Sequence, residues 1–501
     1  MIATGFRGAL LGSLVAVASA GPKTILTPPG AVGLGNNPSN VAAGELPVPT
    51  PAQARYQDTD FVALIHFNMG TFAHNGDPCC DASNWDVKAP YATGKTSDPA
   101  TFNPAKLNTT QWFDSINALG ANIAVLTSKH GCGFGLWPTK TVLPDGSPYG
   151  YDVGAKNAAK LPVPNNDVLG AFVESAKANG VGYGFYYSIM KSFYLCHSFT
   201  GANSCMQKIL PGQRNYSLAD YTHIQVQMVK EIWQNYGNLT EIWVDSGTDG
   251  LDGLMTQLQP QAANGPRTNP VTWCGTESGH PSLDPGPGPY DGDIWSLAGG
   301  QWGSPNGTTW LPRMCDPQLF QEHVWFWEPG LHVRTLEMMI PIYHDIVGRG
   351  MTMEIAFSID RDGLVQDTHA AQYKALGDWV RQCYGTPLAT TSGGYTNEFF
   401  LKLPTGVSFD RIMLQEKTVQ GQRVRRWAVE SSTDGSTWSP LFTGQAIGTK
   451  AIKLLNSTGP WFNTTKTVVT TAPTTLRLQI HAAVAPPIIK TFAVFAPCPS
   501  A

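Results

Sequence analysis

Apolar runs of strand length recur along the first two-thirds of the chain. FVALIHF (61–67), NIAVLTSK (122–129), VGYGFYYS (181–188) and TEIWVDS (240–246) are mostly apolar, with many β-branched and aromatic residues. That is the pattern of strands buried on both faces. VTWCG (271–275), HVWFW (323–327) and MTMEIAF (351–357) are later runs of the same kind. Longer stretches with helical punctuation lie between them. Residues 108–121 start at a capping Asn, 166–180 start on Asn and Asp and end on Asn-Gly, and 218–237 end on Gly. Residues 367–385 have the look of a closing helix. Strand–helix alternation predicts βα units around a parallel sheet. Sustained from residue 56 to 385, it predicts an α/β fold of the (β/α) TIM-like barrel type.

After Gly385 the texture changes. FFLKLP, FDRIMLQE, RVRRWAVESS, TLRLQIHAA and KTFAVFA are short alternating runs separated by Gly, Pro and Ser turns. They predict a C-terminal antiparallel β-sandwich over 386–501. Residues 21–55 are rich in Pro, Gly, Asn and Ala and read as an irregular lead-in.

Residues 1–20 read as a signal peptide. Arg7 is the one cation, an apolar stretch follows from Ala9 to Val17, and Ala18-Ser19-Ala20 matches a cleavage site. The apolar stretch is too short for a membrane anchor. A secreted, extracellular protein is therefore expected. Acceptor sequons occur at Asn108, Asn215, Asn238, Asn306, Asn456 and Asn463, so a glycoprotein is expected as well. The nine cysteines suit an oxidising compartment. Cys196 and Cys205 are spaced to close a short loop, and Cys383 and Cys498 bracket the C-terminal region. No Cys-x-x-Cys pair occurs, which argues against structural zinc.

Composition narrows the choice of partner. Charged residues make up 14% of the chain and the net charge is −4, so nothing favours nucleic acid or an anionic membrane. The 15 Trp and 16 Tyr suit a neutral ligand with apolar faces, such as a sugar, and equally suit a large core.

In a (β/α) barrel the chemistry projects from the C-terminal ends of the strands. Those ends carry His66, then Lys129 and His130, then Tyr186, Tyr187 and Ser188, then Asp245, with Glu277 after the fifth run and Trp325 and Trp327 in a late one. Two carboxylates among imidazoles and rings are what retaining glycoside hydrolysis needs. One ionised carboxylate attacks the anomeric carbon, and the other, protonated, helps the leaving oxygen depart. Taken singly, Asp245 also fits other chemistries, Glu277 reads as an exposed loop residue, and each His reads as a core imidazole.

In combination these segments resemble the α-L-fucosidase family. FVALIHFNMG resembles its first-strand motif, AVLTSKHGCGFGLWPTKT its Lys-His motif, and GVGYGFYYS its Gly-x-Tyr-x-Ser strand. EIWVDSGTDG is similar to the strand that carries the nucleophile. TWCGTESGH, NGTTWLPRMCD and VWFWEPG resemble the branch that cuts α-1,3/4-linked fucose, and FDRIMLQEKTVQGQRVRRWAVE resembles its galactose-binding-like sandwich. The resemblance implies Asp245 as nucleophile and Glu277 as acid/base. It also implies His66, His130, Tyr186, Trp325 and Trp327 as substrate-binding residues, no metal or organic cofactor, and a fucosylated oligosaccharide or glycan as substrate.

Several positions depart from the family pattern. Gly131 and Cys132 stand where the family has His and Asp, and Glu328 stands where it has His and offers a second acid. Cys79 and Cys80 lie in an insertion where a Glu-Trp is usual, with Asn84 and Trp85 nearby. Glu354, Ile355 and Ala356 replace Leu-Leu-Asn. These changes leave open a glycosidase of altered sugar specificity, or a catalytically silent carbohydrate-binding protein.

Overall fold

The computed structural model describes residues 46–72, 96–197, 209, 211–245, 251, 253–263, 269–281, 294–297, 303–455 and 473–498. Seven strands form one parallel sheet: β1 (Phe61–His66), β2 (Ile123–Lys129), β3 (Gly182–Ser188), β4 (Glu241–Asp245), β5 (Thr272–Trp273), β6 (Arg313–Cys315) and β7 (Thr352–Ser358). Their order is β4-β3-β2-β1-β7-β6-β5. The first four strands fall within a residue or two of the predicted runs, because unbroken apolar sequence is what a doubly covered strand requires.

The sheet curls on itself. Trp243 of β4 donates its indole Nε1–H to Glu354 of β7 over 2.7 Å, although three strands separate the two in the sheet order. Register places Val62 and Leu64, Ile123 and Val125, Gly184 and Tyr186, and Glu241 and Trp243 on the inner face. Gly184 allows the close approach of β3 and β4, since a Cβ there would lie 2.1 Å from the Glu241 carbonyl oxygen. Among the described residues the ring stays open between β4 and β5. Ala263 forms a parallel bridge to Glu241 on the open side of β4.

Helices cover the outer face: α2 (Thr109–Leu119), α3 (Val168–Ala178), α4 (Leu218–Asn235), α5 (Leu254–Leu258), α6 (Leu336–Ile346) and α7 (Asp367–Tyr384). Asn108, Asp167 and Ser217 cap α2, α3 and α4 by accepting from backbone N–H groups of the first turn. α2 buries Trp112, Phe113, Ile116 and Leu119 and ends at Gly120, whose φ of 90° suits glycine.

Two sequence expectations change. The end of the irregular lead-in is a helix, α1 (Pro51–Gln57), with a Thr50–Gln53 capping box, and its Tyr56 plugs the floor of the sheet. HVWFW is not a strand but lies in the irregular connection between β6 and α6. Its aromatic run imitates a strand, yet it stops at Pro329-Gly330, and the true strand is the three-residue β6 upstream.

The C-terminal region forms two antiparallel four-stranded sheets. One has the order β13 (Ala451–Leu454), β10 (Arg411–Glu416), β15 (Ile488–Phe495), β8 (Ala389–Gly394). The other runs β12 (Ser439–Gly444), β11 (Val424–Ser432), β14 (Thr475–Ala483), β9 (Glu398–Lys402). Inward residues such as Leu401, Leu414, Trp427, Leu478 and Phe492 share a core separate from that of the α/β region. The Cys383–Cys498 disulfide ties the end of α7 to the end of the chain. Cys132 and Cys196 are disulfide-bonded too, and the expected partner Cys205 lies outside the described residues. The signal segment, Cys79, Cys80, Asn84, Trp85 and the sequons at Asn456 and Asn463 also lie outside them. The sequons at Asn108, Asn215, Asn238 and Asn306 are exposed. No helix among the described residues is long and apolar enough to cross a membrane.

Candidate active site

The C-terminal ends of β1 to β4 bring together most of the predicted residues. Asp245 is the last residue of β4 and is aligned with Ser188 of β3. Tyr186, on the same inner face two residues earlier, donates its hydroxyl proton to Asp245 Oδ2 over 2.6 Å. Burial and the neighbouring Asp245 carboxylate push the Tyr186 phenol well above its ordinary value, so it remains a donor. The ring of Tyr186 stacks on His130 at 5.3 Å and lies 6.0 Å from His66.

His66 stacks on Trp325 at 4.5 Å and meets Phe326 edge-on at 5.5 Å. It is buried, and burial lowers its pKa to about 3. It is therefore a neutral imidazole at working pH, able to hydrogen-bond a sugar hydroxyl without adding charge. The Trp325 carbonyl accepts from Ser358 at the end of β7, which anchors that indole although its segment is a loop.

Lys129 is buried close enough to Asp245 to feel its charge. Its ammonium donates to the Ser188 carbonyl and to the Lys191 carbonyl and lies over the Tyr187 ring. Burial pulls its pKa down to about 7, opposed by the Asp245 carboxylate. The Lys129 side chain thus senses Asp245 from beneath the site.

Glu277 lies on the other side of the opening, exposed, in the loop after β5. Its carboxylate accepts from Gln318 Nε2 over 3.0 Å, and its carbonyl accepts from the Gln318 N–H. The loop is pinned at three points. Cys274 is disulfide-bonded to Cys315 of β6, Arg334 donates to the Ser278 carbonyl, and Gly279 adopts a φ of 86° against Ile342. Asp316, buried just after β6, lies within electrostatic reach of both Glu277 and Tyr186. Burial raises the Asp316 carboxyl well above its ordinary value, against the pull of the Trp273 hydrogen bond.

Trp327 and Glu328 form a separate group. Arg361 lies over the Trp327 ring at 5.6 Å, and burial raises the Glu328 pKa, with Arg361 opposing. Phe326, Asp316, Gln318 and Trp273 are site residues that sequence reasoning missed. The disulfide joining Cys274 to Cys315 was the available signal, since it couples WCG to CDP. Among the described residues no His, Cys, Asp and Glu cluster has the make-up of a metal site.

A strand-end carboxylate inside an aromatic cage, with a second carboxylate in the loop after β5, is a set of groups that glycoside hydrolysis uses. Comparison with known proteins makes the class specific. The sequence profile of the α-L-fucosidase family matches residues 53–385. The chain belongs to this family of glycoside hydrolases. Alpha-L-fucosidase 1 of Arabidopsis thaliana is 23% identical over 466 residues, covering 81% of each chain. A Bacteroides thetaiotaomicron structure provisionally assigned as an α-L-fucosidase has 25% identity and a TM-score of 0.72, covering 90% of this chain and 100% of that one. A Ruminococcus gnavus fucosidase solved with fucose has 17% identity and a TM-score of 0.67, covering 92% of this chain and 97% of that one.

Proposed function

We propose that this protein releases terminal α-L-fucose, α-1,3/4-linked, from glycans by a retaining double displacement. Asp245 is the nucleophile and Glu277 the acid/base. In the first step an Asp245 oxygen bonds to the anomeric carbon while the glycosidic C–O bond breaks, and Glu277 gives its proton to the departing oxygen. In the second step Glu277 takes a proton from water. That water oxygen bonds to the anomeric carbon, and the Asp245 ester bond breaks. His66, His130, Tyr186 and Trp325 line the fucose pocket. Trp327 stands further out, beside Arg361.

The observation that carries this reading is the 2.6 Å Tyr186–Asp245 hydrogen bond at the strand ends, inside a cage of imidazole and indole rings. It holds the Asp245 side chain beside apolar surfaces that suit a sugar ring. The curled parallel sheet, with Ala263 bridged outside β4, supports a barrel-type scaffold closed beyond the described strands. The Cys274–Cys315 and Cys383–Cys498 disulfides support secretion, since such bonds persist in oxidising compartments.

The test is Glu277→Ala with an aryl fucoside. The variant is expected to lose turnover of poor leaving groups and to regain turnover of a good one when azide is added. A fully active Glu277→Ala beside an inactive Glu328→Ala would transfer the acid role to Glu328.

A further inference from the structure

Trp273 is the exposed tryptophan among the described residues, with 42% of its surface open. Its position is nonetheless rigid. It is aligned with Met314 of β6, a residue of the inner-face cluster, so its side chain belongs to the pocket side of the sheet. Its indole Nε1–H donates to Asp316 Oδ1 over 2.5 Å. The neighbours of this pair in sequence, Cys274 and Cys315, are joined by the disulfide. A covalent bond and a half-buried hydrogen bond therefore fix the indole side by side. Its ring is left uncovered at the opening, and its one polar atom is already engaged.

The side of the opening on which it stands decides what it meets. His66, His130, Tyr186, Trp325 and Asp245 cluster on β1 to β4 and the loop over β7, where the fucose ring is placed. Trp273 stands on β5, four residues before Glu277, and Gln318 binds Glu277 two residues after Asp316 binds the indole. The proton from Glu277 goes to the glycosidic oxygen, so the sugar on this side is the leaving group.

We propose that Trp273 is the stacking platform for the pyranose ring to which the fucose is attached, and that Asp316 is the positioning residue that fixes it. This rests on the fucosidase reading above. The ligand class is a neutral pyranose with one apolar C–H face, presented to the indole as the fucose enters the cage. What the indole takes from Asp316 is an acceptor oxygen, which an amide also offers.

The test compares two substrates that both need a proton at the leaving oxygen but differ in the ring. One is a fucosylated trisaccharide and the other is methyl α-L-fucoside. In Trp273→Ala the ratio of their kcat/KM values is expected to fall by about 10-fold to 100-fold, the scale of one hydrophobic contact in substrate discrimination. Asp316→Leu is expected to lower the ratio in the same direction, and Asp316→Asn, which keeps the acceptor, to restore it. An unchanged ratio in Trp273→Ala overturns the platform. An unchanged ratio in folded Asp316→Leu overturns the positioning role. If the wild type cleaves neither substrate, the fucosidase reading is what has failed. Saturation-transfer NMR with methyl β-D-galactopyranoside then decides the platform. Binding that disappears in Trp273→Ala supports it, and binding that persists overturns it.

Discussion

The floor of the sheet holds two carboxyls that cannot both be charged. Glu241 and Glu354 are both fully buried, and burial raises both carboxyls above their ordinary values, the Glu354 charge adding to the rise at Glu241; one proton held by the pair avoids two adjacent buried charges. Glu354 also accepts from the Tyr56 hydroxyl and from Trp243 Nε1. Those donors favour the ionised form of Glu354, so the shared proton belongs to Glu241. Burial, then the Glu354 charge, raise the Glu241 pKa well above its ordinary value. A carboxyl whose folded pKa is raised contributes stability that is complete below the unfolded value of roughly 4.3 and is lost as pH rises toward the folded value. The loss is about 1.4 kcal/mol per pH unit within that window.

Glu241→Gln replaces the borrowed proton with a permanent amide N–H of nearly the same shape. The variant is expected to match the wild type near pH 4 and to become progressively more stable than it above that. The gap should widen by about 1.4 kcal/mol between pH 5 and pH 6. Urea unfolding followed by tryptophan fluorescence at half-unit pH steps measures the difference directly. Taking the difference between two chains cancels the titrating groups that Glu241 does not touch, including His66 and His344, whose lowered pKa values act in the opposite direction, and leaves the Glu241–Glu354 pair. A difference that stays constant with pH, or a variant that loses ground as pH rises, would refute the shared proton.

Three further outcomes are expected. Tyr186→Phe removes the hydrogen bond that orients Asp245 and should lower kcat/KM on a fucoside by roughly 10-fold to 100-fold, with a fall of a few degrees in melting temperature for a lost bond worth about 1.5–3 kcal/mol. Gly184→Ala drives a Cβ to 2.1 Å from the Glu241 carbonyl and should cost ~3 kcal/mol or more, read as loss of soluble folded protein. Replacing both Cys274 and Cys315 by Ser opens a loop spanning 41 residues and should destabilise by about 2–5 kcal/mol, with a larger activity loss on substrates that need Glu277's proton than on fucosyl fluoride.

How far the sequence could be read follows from strand length. β1 to β4 and β7 have five to seven residues each, long enough for an apolar run to show. β5, two residues long, falls inside the predicted run 271–275, whereas β6 has three residues and leaves no periodic trace, so the aromatic HVWFW took its place. The sandwich was legible because its strands alternate, as β9 and β14 do in their burial. Strand ends named Asp245, Tyr186, His66 and His130, which the structure gathers into one cluster. They were no guide to Asp316, which depends on the pairing of β6 with β5 and β7, and they named Lys129 without its burial or its charge interaction with Asp245. The replacement of Leu by Glu at 354 was visible as a departure from the family pattern. Its partner Glu241, more than a hundred residues away, emerges only when the sheet curls.

The central claim is that Asp245 attacks a fucosyl carbon. The most direct measurement is fucose release from a fucosylated trisaccharide by the wild type beside Asp245→Ala, with both proteins checked for the same fold. Release by the wild type and a loss of several orders of magnitude in the variant are expected. Equal release by both would contradict the assignment of the nucleophile, and no release by either would contradict the activity itself.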